Sequence, residues 1–127
     1  MTEILNNVNP KNFGTEAEEV AVNYLKKKNW EIVQKNYHSR HGEIDIICLE
    51  KGNLVFVEVK ASKPKYKDQL ILRVDTVKQR KLHLTAEKFL QDFSIDYNTV
   101  RFDVIMLYKT TENLWHIEHL KNAFQVD

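Results

Sequence analysis

The feature that most constrains this sequence is a pair of strongly apolar runs joined by a short turn at Lys51-Gly52. The first run, residues 43–50, reads EIDIICLE, and the second, residues 53–60, reads NLVFVEVK. β-Branched residues dominate both runs, which is typical of strands, and the intervening glycine favours a tight hairpin turn. Because apolar side chains occupy both sets of alternating positions, we expect both faces of the hairpin to be buried. The charged residues inside it therefore need a specific reason.

The rest of the chain supplies two helices and three further strands. Residues 15–29 carry an apolar stripe of helical period, and Thr15 followed by Glu18 matches a capping box at the start of that helix. A second helix is predicted over 76–92, and further strands over 30–38, 99–108 and 114–120. The order α-β-β-β-α-β-β predicts an α/β protein with a central mixed sheet of about five strands flanked by helices.

Length and composition indicate one domain. The 127 residues are 43% hydrophobic and 29% charged, as in ordinary globular proteins. We predict a single domain over 1–127, with 1–13 a flexible N-terminal extension. No apolar run approaches the ~18–20 residues of a membrane span, and the sequence begins with no secretory pattern. Cys48 is the single cysteine, which excludes an intrachain disulfide. These features indicate a cytoplasmic protein without a membrane partner.

The formal net charge of +1 conceals a strongly cationic segment. Residues 60–81 hold eight basic and two acidic residues, a net charge of +6, whereas the remaining 11 basic and 16 acidic residues carry −5. Such a segment attracts a phosphate backbone, although a solvated lysine-rich loop is the ordinary explanation of a charge run. The candidate nucleic-acid-binding residues are Arg40, Lys63, Lys65, Lys67, Arg73, Lys78 and Arg80.

The length of the hairpin turn decides which charged residues meet. With an even number of turn residues, Asp45 lies opposite Glu58, and Glu43 lies opposite Lys60. Opposed Cβ atoms are roughly 4.5–5.5 Å apart on one face, so the two carboxylates repel unless a cation lies between them. Mg²⁺ is a natural occupant because it binds one or two carboxylates together with water and substrate phosphate. A turn of odd length would break this pairing.

A site of this kind fits phosphodiester hydrolysis. Asp45 and Glu58 would hold Mg²⁺ or Mn²⁺, which lowers the pKa of a bound water and offsets charge on the phosphate. Lys60 shares a strand face with Glu58, so it would orient the water or stabilise the transition state. The alternative is a cross-strand ion pair between Glu43 and Lys60 with Glu58 at the surface. The pattern alone leaves both interpretations open.

The hairpin motifs resemble those of a known family. G-E-I-D-I-I at 42–47 and F-V-E-V-K at 56–60 are similar to the YraN-like family. That family resembles the restriction-endonuclease-like nucleases with the D…(D/E)-x-K signature, including archaeal Holliday-junction resolvases. The resemblance covers nearly the whole chain, with further matching blocks at 14–25, 77–82, 101–104 and 122–124. It implies a restriction-endonuclease-like fold and a metal-dependent endonuclease acting on DNA, with branched or damaged DNA as the substrate.

The resemblance also implies further site residues and an assembly. Glu18 would be a third metal ligand, while its place in the capping box offers a purely structural role. Gln79, from the second helix, would lie near the scissile phosphate. Resolvases work as dimers, so a homodimer is implied by analogy. Two other functions stay open: a non-catalytic DNA-binding or scaffolding module with the nuclease fold, and a structural interaction protein in which the cationic segment is incidental.

Overall fold

The computed structural model describes residues 13–69 and 74–125, and the predicted order of elements is confirmed. The elements are helix α1 (Phe13–Lys27), strands β1 (Glu31–Ser39), β2 (Gly42–Glu50) and β3 (Asn53–Ser62), a 3₁₀ helix (Pro64–Gln69), helix α2 (Thr76–Asp92), and strands β4 (Thr99–Lys109) and β5 (Trp115–Phe124). The 3₁₀ helix was not predicted. Residues 1–12 of the predicted extension, and Arg73, lie outside the described residues. Within those ranges, no helix has the length and apolarity needed to span a membrane.

The five strands form one mixed sheet, as predicted, in the order β1-β2-β3-β4-β5. Neighbouring strands are antiparallel except β3 and β4, which run parallel. A parallel pair needs a long crossover connection, and α2 lies within the segment that joins β3 to β4. The hairpin β2–β3 therefore occupies the centre of the sheet, between β1 on one side and β4 on the other.

The two helices cover opposite faces of this sheet, so both faces of the hairpin are buried, as its apolar pattern predicts. On one face the buried cluster contains Ala17, Val20, Ala21 and Leu25 of α1 with Ile46, Cys48, Val55, Val57, Ile105, Leu107 and Trp115. On the other it contains Leu82, Ala86 and Phe89 of α2 with Ile44, Ile47, Leu54, Phe56, Phe102, Val104 and Met106. Each fully buried large apolar side chain contributes roughly 1.5–3 kcal/mol, which makes these two clusters the main source of stability.

The start of α1 differs from the prediction. The helix begins at Phe13, so Thr15 lies inside it and the predicted capping box is wrong. The ring of Phe13 packs against Trp115 at a centroid distance of 5.2 Å, and this apolar contact favours extension of the helix by two residues. Glu18 is consequently not held at a helix start, and its side chain is available for contacts with the sheet.

Helix α2 begins where the sequence predicts, and its cap fixes the residues of its first turn. The Asp75 side chain accepts a hydrogen bond of 2.9 Å from the backbone N–H of Lys78, which satisfies one of the free donors at the helix start. The helix then runs from Thr76 to Asp92. Lys78, in its first turn, reaches the end of β3, as described below.

Candidate active site

The hairpin β2–β3 has the register that an even turn predicts. Lys51 and Gly52 have φ values of 50° and 86°, which is the backbone geometry of a two-residue type I′ turn. Glu50 pairs with Asn53, and the ladder continues in the same register until Ile46 pairs with Val57. The paired ladder ends there, one position before Asp45 and Glu58.

Asp45 occupies the point where the two strands stop pairing. Its Oδ2 accepts a hydrogen bond of 2.7 Å from the backbone N–H of Val59, so a side-chain oxygen replaces a main-chain partner. Asp45 and Glu58 keep only 8% and 5% of their surface exposed. Two acidic residues are therefore buried side by side at one end of the central hairpin.

Three acids meet at this point, which we name the acid cluster: Glu18, Asp45 and Glu58. Burial and the charge of Glu58 raise the pKa of Asp45 from 3.8 to about 7. Burial, followed by the charges of Asp45 and Glu43, raises the pKa of Glu18 from 4.5 to about 7, while Lys35 acts in the opposite direction. The structure thus brings together the three residues that were predicted to bind metal.

Glu58 has two unequal carboxylate oxygens. Its Oε1 lies 3.2 Å from the Lys60 Nζ and 3.9 Å from the Lys78 Nζ. With every acid ionised, its Oε2 is buried and has no hydrogen-bond partner among the described residues. A buried charged oxygen without a partner is costly. Below about pH 7 the proton retained on Asp45 is shared with Glu58, so a further positive group belongs at the site once that proton is lost.

The acid cluster fits the chemistry of a bound Mg²⁺ or Mn²⁺ ion. It provides carboxylate oxygens, an excess of negative charge and the unpartnered Oε2 of Glu58. Within residues 13–69 and 74–125, however, no three Asp, Glu, His or Cys side chains are arranged as a complete metal-binding group. Mg²⁺ does not need such a group, because it retains several waters and is held through one or two carboxylates together with substrate phosphate.

The interpretation of this hairpin as a plain cross-strand ion pair is wrong. Glu43 Oε2 lies 3.1 Å from the His38 Nδ1 of β1, whereas Lys60 pairs with Glu58. The expected placement of Glu43 opposite Lys60 does not occur because the β2–β3 ladder ends at Ile46. Glu58 is buried rather than at the surface, so it cannot be an incidental exposed charge.

Two other predicted site residues lie apart from the acid cluster. The Gln79 side chain donates a hydrogen bond of 3.1 Å to the backbone carbonyl of Val74, and it makes no contact with an acid of the cluster in the part of the chain that the structure describes. Arg40 is exposed in the turn between β1 and β2, with its Nε 3.5 Å from the His41 Nε2. The structure therefore gives Gln79 a local role in the segment that leads into α2.

The predicted nucleic-acid-binding lysines lie on the segment that follows Lys60. Lys63, Lys65 and Lys67 are all exposed in or next to the 3₁₀ helix. Lys65 lies over the ring of Tyr66 at 4.9 Å, and Lys67 lies over the ring of Tyr108 at 5.5 Å. Arg80 is exposed on α2. DNA binding by these residues stays a prediction.

Sequence reasoning missed the role of Lys78 at the cluster. It was predicted to bind nucleic acid, yet its Nζ lies beside the buried Glu58. The available signal was the aspartate three residues before it, Asp75, which caps the helix and sets the direction of the first turn. The contact between α2 and the end of β3 depends on tertiary packing, so no local sequence pattern predicts it.

A third buried acid, Asp103 of β4, is fully buried and has a structural environment. Arg101 Nε donates to Asp103 Oδ1 at 3.0 Å, and the backbone N–H of Asn122 donates to the same oxygen at 2.9 Å. His119 Nε2 lies 2.7 Å from Asp103 Oδ2, and its Nδ1 lies 3.0 Å from the Tyr24 hydroxyl. We name these five residues the Asp103 network. The spacing of Arg101 and Asp103, which share a strand face, was the one local signal.

The chain is similar to proteins of one family. Residues 17–107 match the profile of Uncharacterised protein family UPF0102. A UPF0102 protein of Kosmotoga olearia is 40% identical over 110 residues, which cover 87% of this chain and 90% of that protein. A UPF0102 protein of Caldanaerobacter subterraneus is 36% identical over 119 residues, which cover 92% of this chain and 98% of that protein. The resemblance to the YraN-like family is thereby confirmed, and the chain belongs to the family UPF0102.

Proposed function

We propose that this chain is a metal-dependent DNA endonuclease whose active site is the acid cluster. The observation that carries the proposal is Glu58, a buried carboxylate that has one oxygen unpartnered among the described residues and that lies beside Asp45, which in turn contacts Glu18. Such an arrangement is unfavourable for the fold when no cation is bound. It is the arrangement that a Mg²⁺ or Mn²⁺ site at a scissile phosphate requires.

The roles of the residues follow from their positions. Asp45 and Glu58 hold the ion, and Glu18 completes the acidic side of the site. The bound ion supplies Lewis-acid stabilisation and a nucleophilic water at neutral pH. Lys60, 3.2 Å from Glu58, pairs with that carboxylate and presents a positive charge to the phosphate. Lys78 adds a second cation from α2.

The choice of DNA as the substrate is supported by the cationic segment that starts at Lys60. Its exposed lysines, Lys63, Lys65 and Lys67, follow the proposed catalytic lysine along the same strand and into the 3₁₀ helix. Charge of this kind neutralises backbone phosphates without reading sequence. Branched or damaged DNA as the preferred substrate, and a homodimer as the working form, follow from the resemblance to junction resolvases.

One observation favours a second function, a non-catalytic DNA-binding or scaffolding module. In the described ranges, no three potential ligands are arranged as a complete metal-binding group. Under this alternative the cationic segment keeps its role, and the acid cluster is held by Lys60 and Lys78 alone. The two functions predict the same binding of DNA and differ in cleavage.

The decisive experiment measures cleavage of linear, nicked, flapped and four-way DNA in Mg²⁺ or Mn²⁺. The Glu58→Gln variant keeps the shape of the side chain and removes its charge. Metal-ion stabilisation of a transition state is worth several kcal/mol, so we expect a loss of at least about 100-fold in rate. Glu87→Gln is the matched control, because Glu87 is a half-exposed acid on α2 that pairs with His83.

Each outcome assigns the function. Cleavage by the wild type and by Glu87→Gln, with the expected loss in Glu58→Gln, supports the endonuclease. Equal cleavage by all three proteins would indicate a contaminating nuclease and would overturn the proposal. Binding of DNA without cleavage in either metal would assign the non-catalytic module instead.

A further inference from the structure

A cavity of about 300 Å³ opens beside the acid cluster, between α1 and the strands β1 and β2. Glu18 and Asp45 line it on the side of the proposed chemistry, and Lys35 and Asn36 of β1 line it as well. No role has been given so far to these two β1 residues. The cavity therefore joins the acid cluster to a polar wall that the proposed reaction leaves unexplained.

The backbone of Asn36 is unusual for a residue inside a strand. Its φ is 52°, in the left-handed region, which costs most residues roughly 1–2 kcal/mol and which asparagine tolerates best after glycine. Its neighbours in the ladder, Lys35 opposite Ile46 and Tyr37 opposite Ile44, place Asn36 level with Asp45. The strained residue thus lies beside a proposed metal ligand.

Lys35 and Asn36 of β1 both line the cavity, as do the consecutive residues Asp45 and Ile46 of β2. Tyr37 then packs on the α2 face of the sheet, in the cluster with Phe89. Both strands therefore contribute to the wall of the cavity at the level of Asp45.

The charge of Lys35 lowers the pKa of Glu18, but no hydrogen bond or ion pair among the described residues holds the side chain of Lys35 or Asn36 in place. Across residues 13–69 and 74–125, the Asn36 side chain has no hydrogen-bond partner, and Lys35 has no carboxylate within 4.0 Å. Both side chains are exposed. Strained backbone conformations concentrate at functional sites, where the position of a side chain matters more than the small loss of stability.

We infer that Lys35 and Asn36 form a subsite for the substrate strand, which binds the phosphate and sugar of the nucleotide next to the scissile bond. Lysine neutralises a phosphate and the asparagine amide donates to phosphate or sugar oxygens. The cavity volume is at the small end of ligand pockets, which suits one nucleotide of a strand. This inference rests on the proposed function and names the part of the protein that holds the strand beside the acid cluster.

The test measures binding apart from cleavage, by fluorescence anisotropy of a labelled DNA oligonucleotide with Ca²⁺ in place of Mg²⁺. We expect Lys35→Gln to weaken binding about 3- to 10-fold and to reduce the salt dependence of log K by about one unit, as for one lost phosphate contact. Asn36→Gly keeps the left-handed backbone and removes the amide. It should weaken binding by a similar factor without changing the salt dependence.

Asn122→Gly is the matched control, because Asn122 is also left-handed (φ 51°) and lies in β5, outside the cavity. It should bind DNA like the wild type. Asn36→Asp also accepts the left-handed backbone, and its negative charge repels a phosphate. This variant should therefore bind DNA more weakly than Asn36→Gly. Urea unfolding of each variant establishes that binding is measured on folded protein.

The failure of the subsite is distinguishable from the failure of the proposed function. If wild type binds and cleaves DNA while Lys35→Gln and Asn36→Gly bind as tightly as wild type, the subsite is wrong and the endonuclease stands. Equal weakening by Asn122→Gly would mean that loss of an asparagine from a strand has a general effect, which also overturns the subsite. If the wild type binds no DNA, both proposals fall.

Discussion

The acid cluster and the Asp103 network lie close together along the central strands, since Val57 pairs with Asp103 and Glu58 with Val104, yet they are built in opposite ways. In the Asp103 network each carboxylate oxygen of Asp103 has a partner: Arg101 and the backbone of Asn122 on one, His119 on the other. In the acid cluster the carboxyls of Asp45 and Glu58 face each other, and one oxygen of Glu58 has no partner among the described residues. The Asp103 network stabilises the charge of Asp103 within the protein. The acid cluster leaves negative charge that a bound cation would neutralise.

The pKa values express the same difference. Burial alone would raise the pKa of Asp103, but the bonds from His119, Arg101 and Asn122 lower it below its ordinary value. At Asp45, burial and the neighbouring acid act in the same direction and raise the pKa to about 7. The charge of Asp103 is therefore stabilised by its hydrogen-bond partners, whereas the charge of Asp45 is destabilised by burial and by Glu58.

The largest expected effect is the loss of stability in Asp103→Ala. This change leaves Arg101 and His119 buried beside a missing charge, and breaking a buried ion pair in this way costs about 3–5 kcal/mol. Urea unfolding at pH 7 measures the difference. Glu87→Ala, at an exposed acid, should change the free energy of unfolding by less than about 0.5 kcal/mol. A loss below about 1 kcal/mol in Asp103→Ala would contradict the contrast between the two groups of acids.

At the acid cluster we expect a substitution to stabilise the protein instead of destabilising it. In EDTA at pH 8, Asp45→Asn should raise the free energy of unfolding by about 1–3 kcal/mol, because it removes a buried charge next to Glu58 while an amide oxygen can still accept from Val59. The rise of the pKa from 3.8 to about 7 sets an upper limit of about 4 kcal/mol. Destabilisation by Asp45→Asn would mean that the cluster supports the fold.

The pH dependence of stability tests independently whether the charge of Asp45 destabilises the fold. Between pH 4 and pH 7 the unfolded chain has lost the proton of Asp45 while the folded protein retains it, so stability of the metal-free protein falls as the pH rises. The loss is complete above about pH 7. Asp45→Asn should reduce this decline in urea unfolding from pH 5 to pH 8, and the part that remains belongs to Glu18, whose pKa is also raised to about 7. Asp103 works in the opposite sense, since its contribution is present above pH 4 and disappears as the pH falls.

The sequence predicts one group of acids better than the other. Asp45 and Glu58 lie in one hairpin, where the parity of a two-residue turn sets the register as far as the adjacent pair, Ile46 and Val57. Their proximity was therefore predictable from eighteen consecutive residues, 43–60. Asp103 meets His119 across the β4–β5 pair and Tyr24 through His119. These contacts depend on tertiary packing, for which alternation and spacing carry no information.

The same distinction explains the errors within the fold. Element order and the length of α2 follow from local periodicity and were predicted correctly. The start of α1 at Phe13 depends on its contact with Trp115, near the other end of the chain. The left-handed conformation of Asn36, level with Asp45, was not predicted either. A polar asparagine within the strand was the local hint.

A smaller effect, and one that tests the proposed metal site, is the response to Mg²⁺. A ligand at tenfold excess over its Kd stabilises the folded protein by about 1.4 kcal/mol, which raises Tm by roughly 3–6 °C for a chain of this size. We expect this shift in the wild type by differential scanning fluorimetry, and none in Asp45→Asn. Glu50→Gln, which changes an acid at the other end of the hairpin that pairs with Arg101, should retain the shift. An equal shift in all three proteins would place the ion elsewhere.

The smallest expected effect is at the exposed rim of the Asp103 network. Lys121 Nζ lies 3.4 Å from Glu50, but half of its side chain is exposed, and exposed ion pairs contribute about 0–1 kcal/mol. Its Nζ also lies 5.4 Å from the ring centre of Trp30, a cation–π contact that contributes little at an exposed site. Lys121→Met removes the charge but keeps an apolar stem of similar length, and it should change the free energy of unfolding by less than about 1 kcal/mol.

The comparison with Lys121→Ala separates packing from charge. If Lys121→Met resembles the wild type in urea unfolding and Lys121→Ala is less stable, the lysine stabilises the protein through its stem. The difference in the free energy of unfolding between Lys121→Met and Lys121→Ala should then be the same at low and high salt, because apolar packing is not screened. A loss above about 1.5 kcal/mol in Lys121→Met would show that the exposed charge is a working part of the Asp103 network. The Asp103 network would then extend beyond the buried contacts of Asp103 to charged residues on the surface.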